Sequence, residues 1–139
     1  KKKEYKKWRY PFGENIEDPS DEEMENPVVI SFVFKKQPDA PEATTFRAKA
    51  PLGMSLGRLF YFFINDYNSR HPESTISCAS EGKIPDEWIF FKRKSKFLKL
   101  KTALDPEVEM ASCRIKENDV LICNRVILTE KISQNETTE

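Results

Sequence analysis

This chain of 139 residues lacks the common sequence motifs of enzymes. It has no glycine-rich dinucleotide motif, no P-loop and no HExxH sequence, and its one histidine, His71, lies in a polar stretch without a nucleophile motif nearby. The three cysteines, Cys78, Cys113 and Cys123, form no CxxC pair and are odd in number. We therefore expect a chain that is not an enzyme, holds no metal or cofactor and keeps its thiols reduced.

Long apolar runs and a net charge are also missing. No run approaches the roughly 18 apolar residues of a membrane span, and no apolar stretch of a signal peptide follows the lysine-rich start. Twenty-three basic residues balance twenty-three acidic ones. An intracellular chain without membrane contact is expected. Nucleic acid is not an expected partner: basic residues cluster with Phe97 at residues 92–101, but lysines on a short edge strand also discourage edge-to-edge aggregation.

Charge is distributed in blocks along the chain. The first nine residues carry six basic side chains, whereas residues 14–25 carry seven acidic ones and no basic one. Blocks of like charge repel themselves and stay solvated, so residues 1–26 are predicted to form a largely disordered tail. A second disordered tail is predicted at 129–139, which leaves one domain at 27–128.

Apolar periodicity predicts the elements of that domain. Residues 28–35 are β-branched and aromatic, and residues 43–50 alternate between apolar and polar, so both are predicted to be strands of a hairpin. A helix is predicted after Ser55, because apolar residues recur there at the spacing of one helix face: Leu56, Leu59, Phe60, Phe63 and Tyr67. Later apolar segments predict three more strands, at 88–91, 97–100 and 120–128.

The order of these elements predicts the α+β class, with one main helix packed across a mixed sheet. A β-grasp fold has this order, although the pattern alone leaves other α+β folds open.

Short motifs in this domain resemble ubiquitin-like proteins. Residues 89–94 (IFFKRK) resemble their third strand and turn, and Asp105-Pro106 with residues 114–122 resembles the stretch that leads into the last strand of SUMO-like domains. In the helix, Leu56, Leu59 and Phe63 have the L-x-x-L-x-x-x-aromatic spacing found in these proteins. The resemblance covers about residues 28–128 and implies a ubiquitin-like β-grasp, nearest to SUMO-like domains embedded in larger adaptor proteins.

The resemblance implies a protein-interaction module that is not itself conjugated. No glycine follows Gly82, so the Gly-Gly end that conjugation needs is missing. Together with the lysine-rich N-terminus as a nuclear localisation patch, it implies a nuclear rather than a cytoplasmic location. The implied partner is an enzyme of the SUMO or ubiquitin pathway, or an acidic-apolar peptide.

Two surfaces are predicted to bind that partner. If Phe46 packs inward, then Arg47 and Lys49 face solvent, and the resemblance implies that they flank a groove with Arg58 and Tyr61 of the helix, in which a peptide adds a strand to the sheet. A solvated strand face explains the same pattern.

The second predicted surface is the sheet face that carries Trp88 and Phe90. Adjacent strand residues point to opposite faces, so either this pair or Ile89 and Phe91 faces away from the helix. Exposed, such a patch would bind a partner. The alternative is that an arm of the same chain, with alternating aromatic residues at 8, 10 and 12, covers it.

Other functions remain open at this stage. A Ras-association-type domain shares the β-grasp and would use its basic second strand to bind a small GTPase. A structural subunit would keep its apolar sheet face permanently buried in a larger assembly. Ser20, which precedes Asp21-Glu22-Glu23, resembles a site for an acidophilic kinase.

Overall fold

One helix and a mixed sheet make up the part of the chain that the computed structural model describes, which is residues 5–80, 84–93 and 101–126. The elements in chain order are β1 (Trp8–Arg9), β2 (Pro27–Phe34), β3 (Thr44–Pro51), α1 (Leu56–Arg70), β4 (Ala79–Ser80), β5 (Ile84–Pro85), β6 (Glu87–Arg93), β7 (Lys101–Ala103), a 3₁₀ turn (Met110–Cys113) and β8 (Val120–Val126).

Within the described residues, six strands form one sheet in the order β1-β6-β8-β2-β3, and β7 also pairs with β6. The predicted hairpin is present: β2 and β3 pair antiparallel, with Phe32 opposite Phe46. The closing strand β8 runs parallel to β2 and antiparallel to β6. The chain is therefore α+β with a mixed sheet, as the order of its elements predicted. A separate short pair is formed by β4 and β5.

The helix begins and ends at residues that satisfy its backbone. Ser55 is the N-cap, and its hydroxyl oxygen accepts a hydrogen bond of 3.3 Å from the Arg58 N–H. At the other end the His71 N–H donates to the Tyr67 carbonyl at 2.9 Å. The predicted helix is confirmed, and the side chains that it buries are Leu56, Leu59, Phe60 and Ile64.

Aromatic rings fill the space between α1 and the sheet. Phe60 lies at their centre, with ring centroids 5.0 to 5.4 Å from those of Phe32, Phe34, Trp88 and Phe90 in mostly edge-to-face contact. We call the sheet face that packs on α1 the inward face and the opposite one the outward face.

The predicted division into tails and domain stays a prediction. The structure places β1 inside the segment predicted to be the first tail. The strand predicted at 97–100 and the second tail at 129–139 lie outside the described residues.

Candidate functional site

Residues 5–12, which we call the arm, cover the end of β6. Trp8 pairs with Trp88, and Arg9 pairs with Glu87 and binds its carboxylate at 2.9 Å. The Trp8 ring packs edge-on against Phe60 and Phe90, at 5.3 and 6.2 Å between centroids. The arm is thus docked on the domain. This is one of the two alternatives that the sequence left open for the aromatic residues at 8, 10 and 12.

Trp88 and Phe90 face inward and are fully buried, each 0% exposed. The binding surface predicted at these two residues is therefore not exposed in this structure. The sequence did not decide which pair faces away from the helix. In the structure Ile89 and Phe91 lie on the outward face.

A glycine makes room for the arm. A Cβ atom at Gly57 would lie 2.8 Å from Cδ1 and Nε1 of Trp8, which is closer than side chains approach one another, and 3.1 Å from the Pro106 carbonyl oxygen. Helix interiors disfavour glycine, so its presence in the first turn of α1 is explained by the close approach of the indole.

The rest of the arm lies over the exposed side of α1. The Tyr10 ring packs against that of Tyr61 in a tilted arrangement, at 5.2 Å between centroids, and its hydroxyl donates to the Asn65 amide oxygen. Burial, reinforced by the neighbouring Tyr61, raises the pKa of Tyr10 above its usual range. The predicted site residue Tyr61 therefore contacts the arm of its own chain.

Arg58, a second predicted site residue, binds the acidic segment at residues 14–25, which we call the strap. Its guanidinium donates to both carboxylate oxygens of Glu23, at 2.6 and 2.9 Å, and to the Glu17 carbonyl at 3.2 Å. The hydrogen bond from Arg58 lowers the pKa of Glu23. In this structure Arg58 thus meets acidic residues of its own chain.

The strap is shaped by Ser20. Its hydroxyl accepts from the Glu23 N–H at 3.1 Å, and its own N–H donates to the Glu23 carboxylate at 3.4 Å, which is the reciprocal pattern of a capping box. Ser20 is exposed, and phosphorylation there stays a prediction.

Arg47 and Lys49 lie on the other side of the sheet from Arg58. Phe46 contacts Phe63 of α1, so its neighbour Arg47 points outward, where it donates to Ser31 at 3.4 Å and Asn118 at 3.2 Å. Lys49 shares that face by alternation. The structure therefore does not bring the four predicted groove residues together.

The outward face carries an apolar row across three strands. Val33 of β2 pairs with Ile122 of β8, which pairs with Phe91 of β6. Val33 and Ile122 are half-buried, and Phe91 is covered by the Tyr5 ring at 5.3 Å. Further half-buried apolar side chains flank the row, namely Val29, Ile89 and Val120.

Basic side chains surround this apolar row. The Lys101 ammonium lies 4.3 Å from the centroid of the Phe91 ring, a cation–π contact. We call the full set the basic rim. By strand alternation its members are Arg9, Arg47, Lys49, Arg93 and Lys101, and Lys7 belongs to it through its ion pair with Glu87. Within the same strands Glu87 is the acidic counterpart on this face, and both Lys7 and Arg9 already bind it.

A buried ion pair, which sequence reasoning missed, lies at the edge of the core. The Asp86 carboxylate is 0% exposed and 3.2 Å from Nε of Arg125, whose side chain is 6% exposed. The guanidinium also donates to the carbonyls of Lys36 and Ser77, at 3.1 and 2.9 Å, and lies 4.5 Å over the Trp88 ring. An ion pair, two hydrogen bonds to carbonyl oxygens and a ring contact around one buried guanidinium indicate a structural role.

The thiols are poorly suited to catalysis. Burial raises the pKa of Cys78 to about 12 and that of Cys123 well above its usual range, and burial also raises the pKa of the half-buried Cys113. A thiol reacts as the thiolate, so such groups are weak nucleophiles near neutral pH.

This predicts slow alkylation of the folded protein. At pH 8 we expect iodoacetamide to label Cys78 roughly a thousandfold more slowly in the folded chain than in urea, because about three pKa units separate the buried thiol from an ordinary one of 9.0. Cys123 should be protected at least as well, and Cys113 should react first. Mass spectrometry of timed samples measures all three rates. Equal labelling of Cys78 with and without urea would contradict the burial.

No cluster of three or more metal-binding side chains is found among residues 5–80, 84–93 and 101–126. In the same part of the chain, no helix has the length and apolarity that crossing a membrane requires.

Comparison with known proteins identifies a protein family. A family model described as "Type VI secretion system, TssN" matches residues 2–126. No curated protein and no solved structure matches the chain.

The family match corrects several expectations. The resemblance to ubiquitin-like and SUMO-like adaptor domains was wrong as a family assignment, and the function taken from it was wrong with it. Type VI secretion systems are bacterial, so the nuclear location is wrong as well. A secretion-system component has protein partners in an assembly, as expected in general terms. They are not the SUMO or ubiquitin enzymes or the small GTPase named above.

Proposed function

Because the chain belongs to the TssN family of the type VI secretion system, we propose that it is a non-catalytic structural subunit of the secretion assembly. It binds a neighbouring protein of that assembly through the outward face of its sheet. The structural-subunit alternative drawn from the sequence thus replaces the adaptor reading.

The apolar row on the outward face carries this proposal. A sheet covered on one side is ordinarily polar on the other, with apolar and polar residues alternating along each strand. Here β2, β6 and β8 place valine, isoleucine and phenylalanine on both faces, so the row Val33, Ile122, Phe91 departs from that alternation. Apolar side chains on a sheet face that α1 does not cover are suited to a protein contact.

The basic rim indicates the character of the neighbour. Exposed ion pairs contribute only about 0–1 kcal/mol each, so burial of the apolar row supplies most of the affinity. The rim sets the orientation and favours a partner whose surface combines carboxylates with apolar side chains.

The fold that presents this face is, we propose, a β-grasp. Three features support the assignment: the β2–β3 hairpin, the helix that follows it, and the parallel pairing of β8 with β2. An experimental structure in which β8 lies at an edge of the sheet would contradict it.

Two glutamates in the apolar row test the binding role. In the full-length protein, we expect Val33→Glu with Ile122→Glu to reduce co-purification of secretion-system components about tenfold or more and to abolish type VI secretion, since carboxylates would be buried at the contact. Thermal melting should show that the fold persists, because both side chains are half-exposed.

The matched control is Val108→Glu, at a valine that is 39% exposed and outside the sheet. It should secrete and co-purify like the wild type. Wild-type secretion by the double variant would overturn the proposed role of the outward face.

A further inference from the structure

The strap and the outward face have complementary surfaces on one molecule. We propose that the neighbour of the outward face is a second copy of this chain, which inserts its strap there, so that copies join head to tail. This inference rests on the proposed function for the location of the binding surface and adds the identity of the occupant.

The strap has the chemistry that the outward face requires. Six of its seven carboxylates are exposed: Glu14, Glu17, Asp18, Asp21, Glu22 and Glu25. Among them lies Met24, a large apolar side chain that is 49% exposed. An exposed apolar side chain among carboxylates complements an apolar row flanked by basic groups, in both charge and polarity.

The two surfaces lie on opposite sides of the molecule. Arg58 of α1 binds Glu23, so the strap lies on the helix side. Arg47 and Lys49 point away from α1 on the outward face. Within the described residues, the acidic groups of the strap thus lie on the helix side and the basic rim lies on the sheet side.

This arrangement selects the type of assembly. A two-fold dimer through the outward faces would bring the two basic rims together, and one through the straps would bring like carboxylates together. Contact between a strap and an outward face pairs unlike charges and leaves one unused surface of each kind, so it repeats along a chain of copies.

The strap is also preorganised for binding. Both carboxylate oxygens of Glu23 accept from Arg58, and Ser20 caps the turn that leads to Glu23. A segment already held in place loses less conformational entropy on association than a flexible tail. Glu23 serves as the internal anchor, and the exposed carboxylates around it are available to the next copy.

Charge reversal on each side tests the contact in purified full-length protein. The face variant is Arg47→Glu with Lys49→Glu, and the strap variant is Asp18→Lys with Glu22→Lys, which retains the Glu23 anchor. Sedimentation velocity over a concentration series measures association. The wild type should grow beyond a dimer at about 50 mM salt and associate more weakly at about 500 mM, because screening weakens contacts between exposed charges. Each variant should associate at least about tenfold more weakly.

Combining the reversals distinguishes complementarity from damage. From a net charge of zero, each variant moves by four charges (two reversals of two), to −4 or +4, and a chain with all four substitutions returns to zero. That chain should regain association, because its acidic face now meets a basic strap. The control Glu73→Lys with Glu107→Lys, at exposed residues outside both surfaces, should associate like the wild type.

The outcomes separate this inference from the proposed function. A wild type that stays monomeric at every concentration, or a four-substitution chain that stays dissociated, would overturn the head-to-tail contact. If secretion still depended on Val33 and Ile122 in that case, the outward face would bind a different component of the assembly. If copies associated but secretion did not depend on Val33 and Ile122, the proposed function would be wrong instead.

Discussion

Replacing Asp86 with alanine should lower the free energy of unfolding by about 3–5 kcal/mol, because it leaves the buried guanidinium of Arg125 without its carboxylate. Asp86 is fully buried and the Arg125 side chain is 6% exposed, so water cannot solvate the remaining charge. The carbonyls of Lys36 and Ser77 still accept from Arg125, but they carry no full negative charge. Urea unfolding of the wild type and the variant measures the loss.

Two further variants identify the cause of that loss. Arg125→Met in the Asp86→Ala background removes the unpaired charge and keeps an apolar contact with Trp88, so it should recover at least about half of the lost stability. Asp66→Ala breaks an ion pair whose side chains are 62% and 73% exposed, and it should cost at most about 1 kcal/mol. If Asp86→Ala cost no more than Asp66→Ala, the buried pair would not hold the core edge.

Local patterns predicted much of the fold. The stripe from Leu56 to Tyr67 predicted the helix, because a 3.6-residue repeat of apolar side chains needs only the neighbouring turns to form its face. The hairpin of β2 and β3 was predictable for the same reason. Its strands are close in sequence, and apolar and polar residues alternate along β3, as at Phe46 and Arg47.

Features that depend on distant parts of the chain were not predictable in this way. Trp8 pairs with Trp88, eighty positions away, and the alternation of apolar and polar residues does not reveal such a partner. The same limit applied to the run from Trp88 to Phe91, because four bulky residues in sequence satisfy either choice of inward face. Arg125, at the end of an apolar strand, gave no sign that it would meet Asp86.

The wrong family assignment shows that short motifs indicate local structure more reliably than they indicate family. Residues 89–94 and 114–122 resemble ubiquitin-like segments because strands and turns in similar places need similar residues. Such requirements follow from backbone geometry and burial, so they do not identify partners. The predicted site residues show the same limit. Arg47 and Lys49 were correctly expected to face solvent, whereas Arg58 and Tyr61 bind the strap and the arm.

The arm and the strap explain how a chain with few apolar residues completes its core. Trp8 covers Phe60 and Phe90, and Arg58 holds the strap across the start of α1. Gly57 lies next to Arg58 in the same helical turn, and its lack of a side chain lets the indole approach. Docking of the arm should therefore be sensitive to a single methyl group at this position.

Gly57→Ala should lower the free energy of unfolding by about 1–2 kcal/mol, although the same change elsewhere in a helix stabilises by about 0.5–1 kcal/mol. The reversal of sign arises because the new Cβ would lie 2.8 Å from two atoms of the Trp8 ring, and the nearby Pro106 carbonyl, at 3.1 Å, restricts relaxation of the helix. In a Trp8→Ala background the methyl group no longer meets the indole and only the Pro106 carbonyl oxygen stays close, so the cost should shrink by at least about 1 kcal/mol. Gly53→Ala, in the turn before α1, is the control, and its effect should not depend on the Trp8 indole because its Cβ would meet only the Glu23 carbonyl oxygen, at 3.7 Å. Urea unfolding of these chains measures the coupling, and an equal effect of Gly57→Ala with and without the Trp8 indole would show that the arm does not occupy this notch in solution.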